Sequence, residues 1–407
     1  MRIAVTTVLV TLALAGCGKK DPGPAKPTAE PVATTQPADV AAEKPADAAA
    51  EKPADAAAEK PTDAAAEKPA DAGAEKPAEA AAEAPKPLTP AEVQAKFDAL
   101  RAAAAGEPEK LAALYADDAV IGTVDSPDQQ KGGAGAASFY GSMMKAFPDF
   151  KVTPQVIVVG NDRVVAILLG TGTNTGELAP GQAATGKKVG LIGAQYVVWG
   201  ADGKIKSDLH FIDQTSMAGQ LGLLPPNVPF RPLVESGVVE PVVVLATASQ
   251  AEQDAVAAHR KGQAALNAKD IKTLEELDAQ VADDLVFHIN SFPADITGKA
   301  DYQKMFGAFL SAHPDMKSDG DDIWAAGDFV IHQSTMSGTN TGEMAMGDMK
   351  TPATNKSWKL ATLEIERYEG GKQKEAWIFW NGMAFAAQLG LIPAPGEAPK
   401  PEEPKTP

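Results

Sequence analysis

The sequence predicts an α+β protein: two tandem domains, each with N-terminal helices packed on an antiparallel sheet, carried behind a disordered N-terminal tether. Three observations predict it. Short motifs recur collinearly through the last ~300 residues, helical text precedes hairpin-linked strands in each copy, and the segment ahead of both copies has no hydrophobic periodicity.

The duplication is direct. Ala116-Asp117-Asp118 returns as Ala282-Asp283-Asp284, and Phe147-Pro148-Asp149 as His313-Pro314-Asp315. Gly172 to Glu177 returns identically as Gly338 to Glu343, and all three pairs share an offset of 166. Gln220-Leu221-Gly222-Leu223 is matched by Gln388 to Leu391 at an offset of 168. The copies are about 140 residues long, a usual domain size. The boundaries are domain 1 at 88–225, a linker at 226–249, domain 2 at 250–392 and a disordered tail at 393–407. Within the linker, the mostly apolar run from Val238 to Ala248 reads as a strand or as linker packed against a domain.

In domain 1, Thr89 suits an N-cap and Pro90 the first helical position. Alanine-rich helical text then continues to about Tyr115. A short strand follows at Ala119 to Val124. Ala134 to Phe147 has helical spacing, with Phe139, Met143 and Phe147 on one side. Strands are expected near Lys151–Val159, Val164–Thr173, Val189–Trp199 and Ile205–Ile212, joined in two places by turns at Gly160-Asn161-Asp162 and Ala201-Asp202-Gly203. A last helix runs from Gln214 to Leu221 and ends at Gly222.

The N-terminus reads as an export signal. Met1-Arg2 precedes an apolar run, Ile3 to Ala15, too short for the roughly 20 residues that span a bilayer. It ends Leu14-Ala15-Gly16-Cys17, which resembles a lipobox. That resemblance implies a signal peptide at 1–16 and lipidation of Cys17, the chain's one cysteine. One acyl chain anchors only marginally, and lipoproteins of this type carry two or three. The resemblance places the chain in the bacterial cell envelope, and Gly18, where Asp would retain it at the inner membrane, points to the outer one. From Cys17 to Pro87 an eight-residue unit such as Glu43-Lys44-Pro45-Ala46-Asp47-Ala48-Ala49-Ala50 repeats. Its prolines stop helices before the ~12 residues an isolated one needs. Nothing large and apolar is there to bury, so the segment reads as a disordered tether.

A net charge of -17 argues against a nucleic-acid partner. The five histidines show no metal-ligand spacing. No Ser-His-Asp set, phosphate loop or dinucleotide fingerprint is present, and neither metal nor cofactor is expected.

Several marks together resemble the SnoaL-like polyketide cyclase group of the nuclear transport factor 2-like superfamily. They are Phe147-Pro148-Asp149, Gly172 to Glu177, Thr185-Gly186-Lys187, Asp202-Gly203-Lys204-Ile205, and Asp213 with Gln220-Leu221-Gly222. The resemblance covers about 95–224 strongly and 255–392 more weakly. It implies two cone-shaped domains, each a curved sheet wrapped around helices with a pocket at the open end. The family often dimerises through the sheet, so the resemblance implies that the two domains pair with each other or form a homodimer. Cyclases of the group use an aspartate as acid/base, and Asp213 matches that position. Strand alternation puts Leu209 and Phe211 on its face. In domain 2 the matching residue is Asn381, with Trp377 and Phe379, and an amide exchanges no proton near neutral pH. The family's frequent histidine is replaced by Asn174 and Asn340. Thr173 is a candidate for the pocket rim. Asp213 also stands where a helix N-cap belongs, and a cap tolerates the exchange to Asn381. The preferred expectation is therefore an anchored module that binds a small apolar ligand or a protein partner. The alternative is an ester cyclase- or isomerase-like enzyme using Asp213 on a carbonyl substrate.

Overall fold

The computed structural model describes residues 87–392 except 107, 127–128, 180, 225–227 and 347–348. The signal peptide, Cys17, the tether to residue 86 and the tail from 393 lie outside the described residues.

Domain 1 begins with α1 (Pro90–Gly106), a 3-10 turn (Pro108–Leu114), β1 (Tyr115–Thr123), β2 (Gln130–Lys131) and α2 (Gly132–Ala146). It continues with β3 (Lys151–Val159), β4 (Arg163–Thr173), β5 (Lys188–Trp199), β6 (Ile205–Phe211) and α3 (Gln214–Gln220). Thr89 caps α1 reciprocally: its backbone N–H donates to Glu92 Oε2 at 2.7 Å, and the Glu92 N–H returns to Thr89 Oγ1 at 3.4 Å. Val93, Phe97 and Leu100 form the buried stripe of α1. The expected single helix to Tyr115 instead breaks after Gly106, because Pro108 cannot continue the ladder. β1 starts at Tyr115, earlier than expected, with Asp117 and Asp118 exposed within it.

The linker contributes β7 (Val242–Leu245), which pairs parallel with β3. Domain 2 repeats the plan. It runs α4 (Gln250–Ala268), α5 (Ile271–Asp278), β8 (Val281–Ile289), β9 (Ile296–Thr297), α6 (Lys299–Ala312), β10 (Lys317–Ala326) and β11 (Phe329–Thr339). Then come a small hairpin of β12 (Met344–Met346) and β13 (Met349–Thr351), β14 (Ser357–Glu369), β15 (Lys372–Phe379) and α7 (Gly382–Leu389). The sheets are ordered β2-β1-β6-β5-β4-β3-β7 and β10-β11-β14-β15-β8-β9. They are antiparallel except that β1 lies parallel to β6, β8 to β15 and β7 to β3.

Alternation gives β3, β4, β5, β6, β11, β14 and β15 two apolar faces. One face covers its own domain's helices. The other face meets the second sheet: Val158, Val165, Ile167 and Phe211 form one core cluster with Ile331, Leu363, Ile365 and Phe379. Polar bonds flank this shared core. Tyr196 donates to Asp322 Oδ2 at 2.6 Å, Trp324 Nε1 donates to Tyr196 at 3.2 Å, and Arg163 pairs with Asp322. Arg231, from the linker, donates to Asp295 at 2.6 Å and to the Ile289 carbonyl at 3.1 Å.

Candidate functional site

The motifs that mark the duplication are clamps. In domain 1, Asp149 accepts from the Thr173 N–H (2.6 Å) and hydroxyl (2.8 Å), tying the turn after α2 to the end of β4. Asp315 holds Thr339 in the same way at 2.7 and 2.8 Å. Asn174 donates to the Gly176 carbonyl and accepts from Thr185, as Asn340 does with Gly342 and Thr354. Gln220 exchanges bonds with the Gly190 backbone, and Gln388 with that of Lys359. Thr173 is thus a structural tie, and the Asn that replaces the family's histidine fastens a loop. The paired aspartates are exposed, with Asp118 3.7 Å from Lys206 and Asp284 2.7 Å from Lys374.

Asp213 and Asn381 are caps. Asp213 is 1% exposed, and its two oxygens accept from the Thr215 N–H at 3.1 Å and the Ser216 N–H at 2.9 Å. Burial pushes its carboxyl above the ordinary range, against the opposing pull of those donors and of Arg231. Asn381 accepts from the Ala384 N–H at 3.1 Å and spends its amide N–H on the Val124 carbonyl of domain 1, also at 3.1 Å. The exchange has a physical reason: Asn381 must donate across the domain junction, and a carboxylate could not.

The pocket lies on the opposite face from the one expected. Leu209 and Phe211 point into the core between the two sheets. Trp377 and Phe379 also belong to that core, and they border a smaller cavity of about 300 Å³ with Arg231 and His288 between the domains. The chain leaves β6 at Phe211, so alternation does not carry through to Asp213, and counting faces backward from Asp213 selects the wrong side.

The large cavity, about 490 Å³, sits between α1, α2 and the concave face of the domain 1 sheet. Its walls are mostly apolar, among them Leu100, Phe139, Met143, Phe147, Leu168 and Met217, with Arg101 and Lys151 also present. Its lining includes Gln195 and His210 on adjacent strands, paired in register, and Tyr140 from α2. Behind them lies Asp208, fully buried. The Asp208 carboxylate accepts from Tyr115 (2.5 Å), Tyr140 (3.0 Å) and Gln195 (2.7 Å), and His210 Nε2 stands 3.2 Å away. Burial alone would raise the Asp208 carboxyl; His210, Tyr115 and Gln195 outweigh it and hold it below the ordinary range. Burial and the Asp208 charge keep Tyr140 protonated far above its ordinary range. With Nε2–H given to the carboxylate, Nδ1 becomes the acceptor of the His210 ring. The arrangement offers an apolar slot and an oriented imidazole, with the Tyr140 hydroxyl proton spent on Asp208.

Sequence reasoning singles out none of Tyr140, Gln195 and Asp208. The available signal was Asp208-x-His210, two polar residues on one face of an otherwise amphipathic strand.

Domain 2 fills the same space with rings. The strand registers make Trp358 the equivalent of Val189, the 168-residue offset matches Ile212 with Trp380 and Met217 with Phe385, and the 166-residue offset matches Met143 with Phe309. All four aromatic residues are buried, and Trp358 and Phe385 meet edge to face at 5.2 Å. Asp208 and His210 become Ala376 and Ile378. The histidines of domain 2 depart from expectation at one point: His259 on α4 and His332 on β11, far apart in sequence, lie 3.0 Å apart, nitrogen to nitrogen.

Residues 92–221 and 256–389 each match the family model described as SnoaL-like polyketide cyclase. Solved structures similar to this chain include AclR of Streptomyces galilaeus, at 26% identity over 36% of this chain and 100% of that one, with a TM-score of 0.29. IdmH of Streptomyces antibioticus matches at 22% identity over 33% and 96%, with a TM-score of 0.27. TsrD of Streptomyces laurentii matches at 22% over 35% and 98%, with a TM-score of 0.29. No curated protein sequence gives a significant match.

Proposed function

The chain belongs to the SnoaL-like polyketide cyclase family, in two tandem copies, and on that premise we propose that domain 1 binds a small, largely apolar ligand while domain 2 serves as its structural partner. The observation that carries this reading is the 490 Å³ cavity with apolar walls and a polar cluster at Tyr140, Gln195 and His210. Sites of this size and make-up suit a ligand with one or two polar atoms. A hydroxyl group on the ligand fits the acceptor nitrogen of His210 at the cluster. The core shared by the two sheets stands in for the family's dimer contact.

A second reading has its own support. His210, held by the buried Asp208 at 3.2 Å, has the composition of a general acid/base pair. In this reading proton transfer to a carbonyl-bearing ligand runs through His210, and Asp213 only caps α3. Titration of the full chain with aromatic ketones and esters, followed by fluorescence and by product analysis, separates the readings. Binding without turnover supports the module. Turnover lost in His210→Gln and kept in Asp213→Asn supports the enzyme. A chain that neither binds nor turns over any such compound overturns both.

The same proposal places the domains at a membrane. Cys17 carries the lipid, residues 18–87 supply the reach, and the outer membrane of a bacterial envelope is the site. Cys17→Ser then moves the chain from the membrane fraction to the soluble one. An unchanged distribution contradicts the anchor.

A further inference from the structure

The interior of domain 2 holds a polar cluster that its fold does not require. At the equivalent strand positions domain 1 carries Ala166, Gln195 and Val197, two of them in its apolar core. Domain 2 carries His332, Glu364 and Glu366, all at most 3% exposed. α4 lays His259 over them.

The orientation of these groups is specific. His259 Nδ1 lies 3.3 Å from Glu366 Oε2, which also accepts from the Tyr368 hydroxyl at 2.8 Å. Its other nitrogen, Nε2, faces His332 Nδ1 at 3.0 Å. On the far side of His332, Nε2 lies 3.4 Å from the Gln263 amide, whose N–H groups are already directed at the Ser318 and Gly320 carbonyls. Glu364 sits opposite His332 in the β11–β14 register, and neither of its carboxylate oxygens has a hydrogen-bond partner among the described residues. One ligand atom each from His259, His332 and Glu364 falls within 4.8 Å of the others.

A buried charged carboxylate is strongly disfavoured unless it is paired or coordinates a cation. A histidine whose outer nitrogen is held by a carboxylate presents its inner nitrogen as a metal ligand. We infer that His259, His332 and Glu364 form a buried site for a divalent transition ion of the zinc class, with Glu366 orienting His259 from outside. Two imidazoles and one carboxylate suit zinc, and the absence of a thiolate from the cluster leaves ferrous iron or cobalt as substitutes. The site ties α4 to β11 and β14, so its occupation stabilises domain 2.

Equilibrium dialysis of the metal-stripped full chain against Zn²⁺, and absorption spectra with Co²⁺, test this. One equivalent is expected, with a rise in melting temperature. Cobalt should show visible d–d bands and no thiolate charge-transfer band, which distinguishes the site from Cys17. Glu366→Gln should weaken binding by about 10–100-fold, with Glu364→Gln and His332→Gln weakening it further. His288→Gln should leave it unchanged. Melting curves of the metal-free variants verify that each is folded. The assignment is overturned if the folded chain takes up no metal, if binding survives in Glu364→Gln and His332→Gln, or if the cobalt spectrum reports a thiolate.

Discussion

Domains 1 and 2 share their clamps and differ in their interiors. Asp149 and Asp315, Asn174 and Asn340, and Gln220 and Gln388 make matching bonds in both copies. The concave faces share almost nothing: a cavity with His210 and Asp208 in one, Trp358, Phe309, Phe385 and Trp380 in the other. Keeping a fold needs fixed backbone ties, whereas chemistry lives in the side chains the ties leave free to vary. In this chain the marks that carry the family resemblance are architectural ties, and the site lies on the strand face behind them.

The largest predicted contrast is in stability. Phe385→Ala removes a fully buried ring from the packed cone and should cost about 3–5 kcal/mol in chemical denaturation. Met217→Ala, at the partly buried cavity wall, should cost less than about half of that. Equal costs would mean that the two interiors are packed alike.

The caps give the next largest effect. Asn381→Asp loses the bond to Val124 and sets a charge against a carbonyl, at a cost of about 1–3 kcal/mol. Asp213→Asn keeps one of the two accepted bonds and should cost about 1 kcal/mol, with no change in ligand affinity. A large loss of affinity in Asp213→Asn would restore that residue to the pocket.

The smallest effect is pH-dependent and belongs to the junction between the domains. His288 lies 3.0 Å from Asp295 and 3.1 Å from Glu375. Burial lowers its proton affinity, but the two carboxylates outweigh burial and raise it above the ordinary value. Its stabilising contribution is therefore complete below about pH 6.5, the usual histidine value, and is lost as the pH rises through the raised folded value. The stability difference between the wild type and His288→Gln should shrink across that window on going to higher pH. A difference that grows with pH would contradict the assignment.

Much of the fold was legible because it rests on local signals. The strands at Lys151–Val159 and Ile205–Phe211 follow apolar runs bounded by Gly, Asn and Asp turns, and Thr89 and Asp213 announce helix starts. Pro108 signals the break after Gly106, against alanine-rich text on both sides that favours continued helix. The site was far less legible. Strand alternation pairs Trp377 and Phe379 on one face, but it does not say which face lies inside a cone and which meets a second sheet. Asp208 carries no sequence signal of its role because its partners Tyr115, Tyr140 and Gln195 come from three other elements. His259 and His332 are separated by 73 residues, and only the crossing of α4 over β11 brings them together.

The central claim is that domain 1 has an open cone and domain 2 a filled one. The most direct test is the stoichiometry of an apolar anionic probe, anilinonaphthalene sulfonate, on the folded full chain and on a variant grafted with the domain 2 rings at Met143→Phe, Val189→Trp and Met217→Phe. One probe bound per wild-type chain, and none to a grafted chain that melts no lower, is the predicted result. Binding that survives the graft, or two equivalent sites per chain, would contradict it.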